Sequence, residues 1–437
     1  MAKISSILGL NARVKLFSYN YNKPLGKKIA GSKLRTKKTL RRAGIPVPDI
    51  YAKFEHPKDL IDFDWEKLPS TFALKPNKGM GGAGIIVIKK RAKDSSADSG
   101  LTWVTTQRKR VTVDDLKLHI LDILEGAFSI RNVPDIAFVE EYVGRHKAFR
   151  RYAYRGTPDI RVIVFNKVPV MAMLRLPTKE SKGKANLHQG AVGVGVDIAT
   201  GITTKAIWHG KQIRQKPGTK RKLHGIKIPS WTKILEIAVQ CSEVVDLGYV
   251  GVDVALHPER GPVIWELNHQ PGLSIQLANM EGLKKRLERV EDLEVKNAEH
   301  GVNIAKALFA STFADRVKAE GGIRTIDVFE EVKIKGKDGK KMTMPAKIDT
   351  GAWRSSIDKT LAEDLGLLGE NNILWEKTVW SSIGKEKRPV INITFWLKGK
   401  KIKTAAGVAD RSKLRKPLII GRRDLVGFLV NPLKDEE

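Results

Sequence analysis

Two carboxylates and one amide lie near the ends of a predicted β-hairpin, where they could bind a divalent cation. Asp253 belongs to the strand-like stretch 247–256, and Glu266 and Asn268 belong to the stretch 262–268. Residues two apart on a strand point to the same face, so pairing of the two strands would bring the three side chains together. Mg²⁺ prefers such hard oxygen ligands and keeps positions open for phosphate oxygens. The pattern favours a metal site over three unrelated surface residues, because the neighbouring positions are apolar.

A glycine-rich stretch at residues 78–84 could enclose phosphate groups. It contains G-x-G-x-x-G, but a β-branched strand and not a helix follows it, which argues against a dinucleotide-binding Rossmann unit. A flexible loop between two antiparallel strands can donate backbone N–H groups to phosphates, and a lysine on the preceding strand would neutralise their charge. A plain hairpin turn is an equal alternative. The candidate phosphate-binding residues are Lys75, Lys78, Gly79, Gly81, Gly82 and Gly84.

A second kind of chemistry is indicated by Asp349, which begins the tetrapeptide Asp-Thr-Gly-Ala at residues 349–352. Aspartic peptidases need two carboxylates that share one proton. The C-terminal region offers one such aspartate, so a working site would need a dimer. An apolar stretch that ends in a glycine, residues 417–421, is expected to lie beneath this loop. The alternative is a β-scaffold that serves binding or dimerisation.

The composition limits the classes of protein to which the chain can belong. It has 437 residues, of which 41% are hydrophobic, enough for roughly two to four folded domains. The single cysteine, Cys241, excludes an intrachain disulfide and a multi-cysteine zinc site, and its helix-like surroundings predict a buried packing role. No apolar run reaches the roughly 18 residues of a membrane helix, and the N-terminus lacks the layout of a signal peptide. We therefore expect a cytoplasmic protein of several domains.

The charge is strongly positive and unevenly distributed. The net charge is +31, from 79 Lys and Arg against 48 Asp and Glu. Residues 1–48 contain twelve cations and no carboxylate, and residues 198–235 also lack carboxylates. Such segments are either solvated surfaces or binding sites for an anionic partner. Nucleic acid is a possible partner but is not favoured, because aromatic side chains for base stacking are sparse in both segments.

The candidate residues must be positioned by a mixture of helices and strands. Residues 32–44 are typical of a helix, and residues 279–320 have a charged helical periodicity. From residue 323 onward, after two glycines, short strands predict an all-β domain. We expect an α+β fold with a basic N-terminal segment at 1–45, a main domain at 46–320 and a β-domain at 323–434. Strands are predicted at residues 71–76, 85–88, 135–143, 159–165, 168–174, 247–256 and 262–268.

The order of these motifs resembles that of ATP-grasp enzymes, and among them the RimK-type, alpha-L-glutamate ligase-like enzymes. The resemblance covers roughly residues 30–310 and rests on several motifs that keep their order. It implies two α+β subdomains that clasp ATP, with Lys33 and Lys75 as the ATP-binding lysines. It also implies a hinge that meets the adenine and a set of phosphate and substrate contacts. The implied hinge residues are Glu140, Glu141, Tyr142 and Val143, and the implied contacts are Arg161, Arg175 and Asn186.

The resemblance implies an amide ligase that depends on ATP and Mg²⁺. ATP would phosphorylate a carboxylate, and an amine would attack the acyl phosphate to give an amide, ADP and phosphate. Asp253, Glu266 and Asn268 would bind the metal, expected as two Mg²⁺ ions with Mn²⁺ as a substitute. The expected substrates are an amino acid, with glutamate favoured, and an acidic peptide or protein acceptor that the basic segments hold.

Residues 323–433 resemble the RimB-type, retropepsin-like proteins that are often labelled ATP-dependent zinc proteases. The resemblance implies a small all-β barrel that forms a homodimer, with Asp349 as the catalyst of a peptidase that processes the product. The zinc label is not supported here, because the sequence has no His-Glu-x-x-His motif and no paired cysteines.

Two other functions remain open at the level of sequence. The first is a ligase that makes a free small peptide and uses its β-domain only for dimerisation. The second is a nucleotide-gated binder of RNA or ribosomes, which rests on the net charge of +31 alone.

Overall fold

The N-terminal helices lead into α4, the helix that carries the first candidate lysine. The computed structural model describes residues 6–79, 81–92, 101–129, 132–309, 324–381, 384–411 and 416–431. Ser32 caps α4 by accepting a hydrogen bond from the backbone N–H of Arg35 at 3.3 Å, and Gly44 follows the helix with φ of 73°. The helix predicted at 32–44 is therefore confirmed. The helical elements are α1 (Leu10–Ala12), a π-helical turn (Arg13–Ser18), α2 (Tyr19–Tyr21), α3 (Pro24–Ala30) and α4 (Lys33–Arg42).

The chain divides into two compact units, Met1–Asp292 and Leu293–Glu437. The division precedes the boundary expected at residues 321–322, which lie outside the described residues. Across the described ranges, no helix combines the length and the apolar character that a membrane crossing requires.

A six-stranded antiparallel sheet forms the first half of the first unit, with the order β1-β6-β2-β3-β4-β5. Helix α5 (Val113–Leu124) packs on it, because Leu116, Ile120 and Ile123 recur at helical spacing and are buried. Their packing surface on the sheet includes Phe72 and Trp103. The strands are β1 (Ile50–Phe54), β2 (Phe72–Pro76), β3 (Ile86–Arg91), β4 (Thr102–Thr105), β5 (Arg110–Thr112) and β6 (Ala137–Glu141).

A seven-stranded antiparallel sheet forms the second half of this unit, with the order β11-β10-β9-β8-β7-β12-β13. Helix α6 (Trp231–Val244) packs against β7, β8 and β12, and every residue of β7 is buried. Two short helices follow the sheet, α7 (Ser274–Asn279) and α8 (Lys284–Glu288). The strands are β7 (Asp159–Phe165), β8 (Val168–Leu176), β9 (Val192–Val196), β10 (Thr203–Trp208), β11 (Lys211–Ile213), β12 (Tyr249–His257) and β13 (Gly261–Asn268).

The second unit is a closed β-barrel. Its strands pair in the order β15-β16-β21-β17-β20-β19, and β19 pairs with β15 to close the ring, while β18 extends from β19. Closure leaves no free edge within the ring. The prediction of a β-rich domain is confirmed. Among the described residues, the α-helices of this unit are α9 (Ala298–Leu308) and α10 (Lys359–Asp364). The strands are β14 (Arg324–Asp327), β15 (Phe329–Lys335), β16 (Lys341–Asp349), β17 (Ser356–Asp358), β18 (Ile373–Ser381), β19 (Gly384–Leu397), β20 (Lys400–Ala409), β21 (Leu418–Gly421) and β22 (Phe428–Asn431).

Candidate active site

A row of charged side chains crosses four neighbouring strands of the seven-stranded sheet. On β7 and β12, Arg161 lies opposite Asp253, and on β12 and β13 Asp253 lies opposite Glu266. On β8, Arg175 lies opposite Asp159 of β7. Directly opposed residues on antiparallel strands are close neighbours, so the sheet brings together residues that are up to about 100 positions apart in the chain.

Two arginines hold the carboxylate of Asp253. Arg161 forms a bidentate pair with it, with Nε–Oδ1 of 2.7 Å and Nη2–Oδ2 of 2.6 Å, and Arg175 Nη2 lies 2.8 Å from Oδ2. Arg175 also forms a bidentate pair with Asp159, with Nε–Oδ1 of 2.5 Å. Bidentate guanidinium–carboxylate pairs are strong and fix the geometry of both partners. The four side chains are therefore held in one arrangement.

The two aspartates of this cluster titrate differently. Burial acts to raise the pKa of Asp253, but Arg161 and Arg175 outweigh it and lower the pKa well below the usual range. Burial raises the pKa of Asp159 to about 6, because Arg175 opposes the burial only in part and the charge of Asp253 adds to it. Asp253 is thus the firmly ionised member of the pair, and Asp159 titrates near pH 6.

The three predicted metal ligands lie side by side. Asn268 Nδ2 is 3.4 Å from Asp253 Oδ2 and 3.4 Å from Glu266 Oε1. Within the described ranges no group of three His, Cys, Asp or Glu side chains could hold a metal, so a metal bound here would need the amide of Asn268 besides the two carboxylates. Asp253 Oδ2 already accepts hydrogen bonds from Arg161 and Arg175, whereas Oδ1 accepts one, from Arg161. Carboxylate and amide oxygens fit Mg²⁺ by their chemistry.

Lys33 joins the glycine-rich segment to this row. Its Nζ donates a hydrogen bond to the Gly79 carbonyl at 2.6 Å and lies 3.8 Å from Glu266 Oε2. The start of α4 is attached to the same segment, because the Asn77 side chain accepts hydrogen bonds from Ser32 Oγ at 2.9 Å and from the Leu34 N–H at 3.0 Å. A predicted ATP lysine and a predicted metal ligand are therefore neighbours.

A buried ion-pair group surrounds the second predicted lysine, and the sequence analysis missed one of its members. Lys37 Nζ lies 3.0 Å from Glu140 Oε2, and Lys75 pairs with Oε1 of the same carboxylate. Lys75 also lies over the Trp265 ring at 5.3 Å from its centroid. Burial acts to raise the pKa of Glu140, but the two lysines outweigh it and lower the pKa. The four-residue spacing of Lys33 and Lys37, which places both on one face of α4, could have revealed the missing residue.

Burial has the opposite effect on the lysine of this group. The Lys37 side chain is only 1% exposed, and burial lowers the pKa of its ammonium group while Glu140 raises it. The ammonium also donates a hydrogen bond to the Trp265 carbonyl at 3.2 Å. The Glu140 carboxylate, which was expected at the adenine hinge, thus forms ion pairs with Lys37 and Lys75.

The glycine-rich segment is attached to the Asn-Leu-His-Gln-Gly stretch. The Gly81 carbonyl accepts hydrogen bonds from Asn186 Nδ2 at 2.8 Å and from Gln189 Nε2 at 3.0 Å. Gly81, Gly82 and Gly84 have φ between 63° and 79°, the left-handed region that favours glycine. Lys78, whose side chain is exposed, donates its backbone N–H to Asp135 at 2.7 Å. Two motifs that the sequence suggested separately are therefore in contact.

The hinge residues lie at the end of β6 and just after it. Glu140 and Glu141 are the last two residues of β6, and Tyr142 and Val143 precede the seven-stranded sheet in the chain. The Glu141 carboxylate contacts Arg260 and lies 3.3 Å from His257 Nε2. Burial raises the pKa of the Tyr142 hydroxyl, and the Val143 carbonyl accepts a hydrogen bond from Thr157 Oγ1 at 2.6 Å. The chain therefore crosses between the two sheets at the position where the hinge was expected.

Asp349 belongs to the second unit and lies at the end of β16. Its Oδ1 accepts hydrogen bonds from the N–H groups of Gly351 and Ala352, both at 2.9 Å. In the parallel pairing of β16 with β21, Asp349 lies opposite Gly421, so the apolar stretch expected beneath this loop is adjacent to it. A side chain at Gly421 would collide with the Arg354 backbone.

Comparison with known proteins identifies the first unit. The sequence profile of the sugar-transfer associated ATP-grasp proteins matches residues 12–292. The chain belongs to this ATP-grasp family. The matched range ends where the first unit ends, so the profile leaves the second unit outside the match.

Several known proteins resemble this ATP-grasp protein. A probable alpha-L-glutamate ligase from Citrobacter koseri is 26% identical over 264 residues, which are 59% of this chain and 62% of that protein. The chain thus spans less than two thirds of this curated relative. The D-alanine–D-alanine ligase of Bacillus anthracis in complex with ATP is 16% identical, with coverage of 69% and 71% and a TM-score of 0.33. The ATP-grasp ligase PsnB in complex with a minimal precursor is 17% identical, with coverage of 62% and 63% and a TM-score of 0.31.

The single cysteine of the ATP-grasp unit takes no part in the site. Cys241 is fully buried in α6, as the sequence predicted, and burial raises the pKa of its thiol. A thiol held neutral in this way is a poor nucleophile. The ATP-grasp assignment from sequence is confirmed, and the roles of the individual site residues stay predictions.

Proposed function

We propose that this protein is an ATP- and Mg²⁺-dependent ligase that joins a carboxylate to an amine through an acyl phosphate. The observation that carries the proposal is the meeting of Lys33, the glycine-rich segment and Glu266 beside the Asp253 cluster. The added group would be an amino acid, with glutamate favoured, and the acceptor a peptide or protein. The named relative from Citrobacter koseri, a probable alpha-L-glutamate ligase, supports this choice.

The side chains of the row suit phosphoryl transfer, which depends mainly on positioning and electrostatic stabilisation. Arg161 and Arg175 bind the aspartates through Nε and Nη2, so Nη1 of each points away from those bonds and can stabilise negative charge. Lys33 and Lys75 would neutralise ATP phosphates. Mg²⁺, held by Asp253, Glu266 and Asn268, would neutralise charge on the transferred group. The amine then attacks the acyl phosphate, and phosphate leaves.

The decisive experiment measures amino-acid-dependent ATP turnover. The full chain is incubated with ATP, Mg²⁺, an acidic peptide and each common amino acid in turn, and phosphate release and the mass of the peptide are recorded. We expect one amino acid, glutamate first, to stimulate phosphate release and to increase the peptide mass. Phosphate release that no amino acid or peptide stimulates would exclude the ligase. Mass gain without the peptide would favour the synthesis of a free small peptide.

We further propose that the second unit acts on the ligase product as a dimeric, retropepsin-like peptidase. The Asp349 carboxylate, held by two backbone N–H groups beside Gly421, is the observation that favours this role. We expect Asp349→Asn to leave ATP turnover unchanged and to abolish cleavage of the extended peptide. Sedimentation should find a dimer. A monomer, or cleavage that persists in Asp349→Asn, would contradict the proposal.

Asn186 is expected to fix the glycine-rich segment over ATP. Asn186→Ala removes one of the two side-chain donors to the Gly81 carbonyl, so we expect the KM for ATP to rise about three- to tenfold. The double variant with Gln189→Ala, which removes the remaining donor, should raise it further. His188→Ala is the matched control, because this exposed neighbour makes no side-chain bond to Gly81 among those described. Equal KM values in all variants would show that these bonds do not hold the segment for ATP.

A further inference from the structure

Two acid-free segments of the first unit are packed together. Residues 144–158 and 198–235 contain fourteen lysines and arginines and no aspartate or glutamate. The second segment forms β10, β11 and a hairpin in which the Lys216 N–H donates to the Arg221 carbonyl at 2.8 Å. Lys216 Nζ lies 3.5 Å from the Arg151 carbonyl, and the Arg221 guanidinium lies 5.6 Å from the centroid of the Tyr152 ring. We call this joint region the basic surface.

Three cations of the basic surface meet at residues 151–153. Lys216 Nζ lies near the Arg151 carbonyl, Arg221 lies over the Tyr152 ring, and Arg145 Nη1 donates a hydrogen bond to the Ala153 carbonyl at 3.1 Å. Burial lowers the pKa of Lys216, and the charges of Arg221 and Arg145 lower it further. Lys216 is only partly exposed, so bulk water screens this repulsion incompletely. Over the part of the chain that the structure describes, none of the fourteen cations forms an ion pair with a carboxylate. These cations therefore present positive charge that no carboxylate of the described residues balances.

The N-terminal basic segment behaves differently, and the contrast is informative. There, Lys23 pairs with Asp246 at 2.7 Å and Arg41 pairs with Asp49 at 3.1 Å. These cations have internal partners, as expected for a folded surface. Ion pairs with carboxylates thus hold Lys23 and Arg41 in the N-terminal segment, whereas the described residues show no such pair for the cations of the basic surface.

We infer that Arg145, Lys216 and Arg221 form a subsite for a phosphate monoester carried by the acceptor substrate. The inference deepens the proposed ligase function and rests on it. A phosphate monoester carries a charge of about −1.5 to −2 at pH 7 and has three acceptor oxygens, so it can accept hydrogen bonds from all three cations and neutralise much of their charge. A single carboxylate carries one negative charge and would leave the repulsion largely in place. Guanidinium groups also match phosphate geometry well.

The aromatic rings of the basic surface argue against single-stranded nucleic acid. Arg221 lies over Tyr152, and the Arg155 guanidinium lies 5.1 Å from the centroid of the Tyr154 ring. Recognition of single strands relies on open aromatic faces on which bases stack. Each of these two rings already has a cation on it, so the surface offers charge and little stacking.

The position of the subsite in the chain suits an acceptor. Arg145 follows the hinge residue Val143 by two positions, and the same segment continues into Asp159, the partner of Arg175. The Tyr154 N–H donates to the Pro177 carbonyl at 2.9 Å, which attaches the segment to the stretch that leads to Asn186. A phosphate held here would anchor an acceptor beside the ATP-grasp site without using the ATP-binding lysines.

The test compares two sugars that differ in one group. Binding of glucose 6-phosphate and of glucuronate to the full chain is measured by calorimetry, first alone and then with saturating AMP-PNP and Mg²⁺ to fill the nucleotide site. We expect glucose 6-phosphate to bind under both conditions and glucuronate to bind at least about tenfold more weakly. The double variant Lys216→Gln/Arg221→Gln should lose at least about tenfold in affinity for glucose 6-phosphate. Lys211→Gln, at an exposed cation of the preceding strand β11, is the matched control and should bind normally.

The outcomes separate this inference from the proposed function. Equal binding of the two sugars, or a double variant that binds glucose 6-phosphate like the unchanged protein, would overturn the subsite. Tighter binding of a single-stranded RNA that the same double variant loses would overturn it in favour of nucleic acid. AMP-PNP binding that is equal in all variants would leave the ligase proposal standing in each of these cases. Absence of AMP-PNP binding would count against the ligase alone.

Discussion

Asp253→Asn is expected to lower ATP turnover by roughly 100- to 1,000-fold, the range seen when one preorganised electrostatic group is removed. Asp253 has two roles, because it is the shared counter-ion of Arg161 and Arg175 and a proposed metal ligand. Asparagine keeps the size of the side chain but removes its charge. The two guanidinium groups would then share Asp159, whose pKa should fall because the like charge of Asp253 no longer raises it.

The same change is expected to destabilise the fold. Removing one partner of a buried ion pair costs about 3–5 kcal/mol, because the remaining charge stays buried without compensation. The measurement is the urea concentration at half-unfolding, together with phosphate release. Heteronuclear NMR of the aspartate carboxyls would report the pKa of Asp159 in the two proteins.

Glu266→Gln is the matched control for Asp253→Asn. It removes the same charge from the opposing position on β13. The Glu266 side chain, however, is 37% exposed, and its ion pair with Lys33 is long, at 3.8 Å. We expect Glu266→Gln to reduce turnover while the free energy of unfolding changes by less than about 1 kcal/mol. If both variants lost activity and stability to the same extent, Asp253 would not have the double role that its contacts indicate.

The sequence predicted the local part of this site well. Alternation and the intervening turn identified β12 and β13 as a hairpin. Its regular register, which pairs Val254 with Ile264, would continue to Asp253 and Trp265, and an irregularity between Asp253 and Val254 shifts the pairing by one residue, so that Asp253 lies opposite Glu266. The limits of β7 were also predicted at Asp159 and Phe165. The strands and their hairpin depend on residues that are close in the chain, so the pattern of apolar residues is sufficient to find them, whereas the irregularity in the register of β12 and β13 has no such pattern.

The pairings across the sheet could not be predicted in the same way. Asn166 and Lys167 turn the chain with φ of 47° and 58°, so that Phe165 pairs with Val168. An irregularity between Ile163 and Val164 then shifts the register of β7 and β8 by one residue, which places Arg175 opposite Asp159. Two-residue turns with positive φ at both residues match the twist of antiparallel strands and usually contain glycine. Residues 166–167 contain no glycine, so the sequence lacks the usual signal for this turn. The closing pairing of β15 with β19 joins strands that are far apart in the chain, and no local pattern encodes it.

Lys37 shows a further limit of sequence analysis. A lysine in a helix of strongly basic sequence is expected at the surface, yet this side chain is buried against Glu140. Its burial depends on three elements, α4, β2 and β6, which bring Lys37, Lys75 and Glu140 together. The carboxylate that the resemblance placed at the adenine hinge is the centre of that group.

Glu140→Gln is expected to destabilise the protein by about 3–5 kcal/mol, because it leaves the buried Lys37 ammonium without its counter-ion. Lys37→Met should cost less, since Glu140 keeps Lys75 as a partner and methionine fills the space of the lysine stem. The urea midpoint at neutral pH measures both. The depressed pKa of Glu140 means that its contribution is present above its unfolded pKa and is lost as the pH falls through the folded value. The difference between Glu140→Gln and the unchanged protein should therefore shrink in acid.

The double variant Lys37→Met/Glu140→Gln decides whether the group acts as one unit. If the cost of Glu140→Gln comes from an uncompensated buried ammonium, removing that ammonium as well should restore at least about 1–2 kcal/mol of the loss, a non-additive result typical of residues in contact. Strict additivity would show that the two side chains contribute independently. Turnover should not recover in parallel, because Lys75 has lost the carboxylate that orients it beside Trp265. A stable but inactive double variant would therefore assign Glu140 two separable roles, as counter-ion to Lys37 and as the group that positions Lys75.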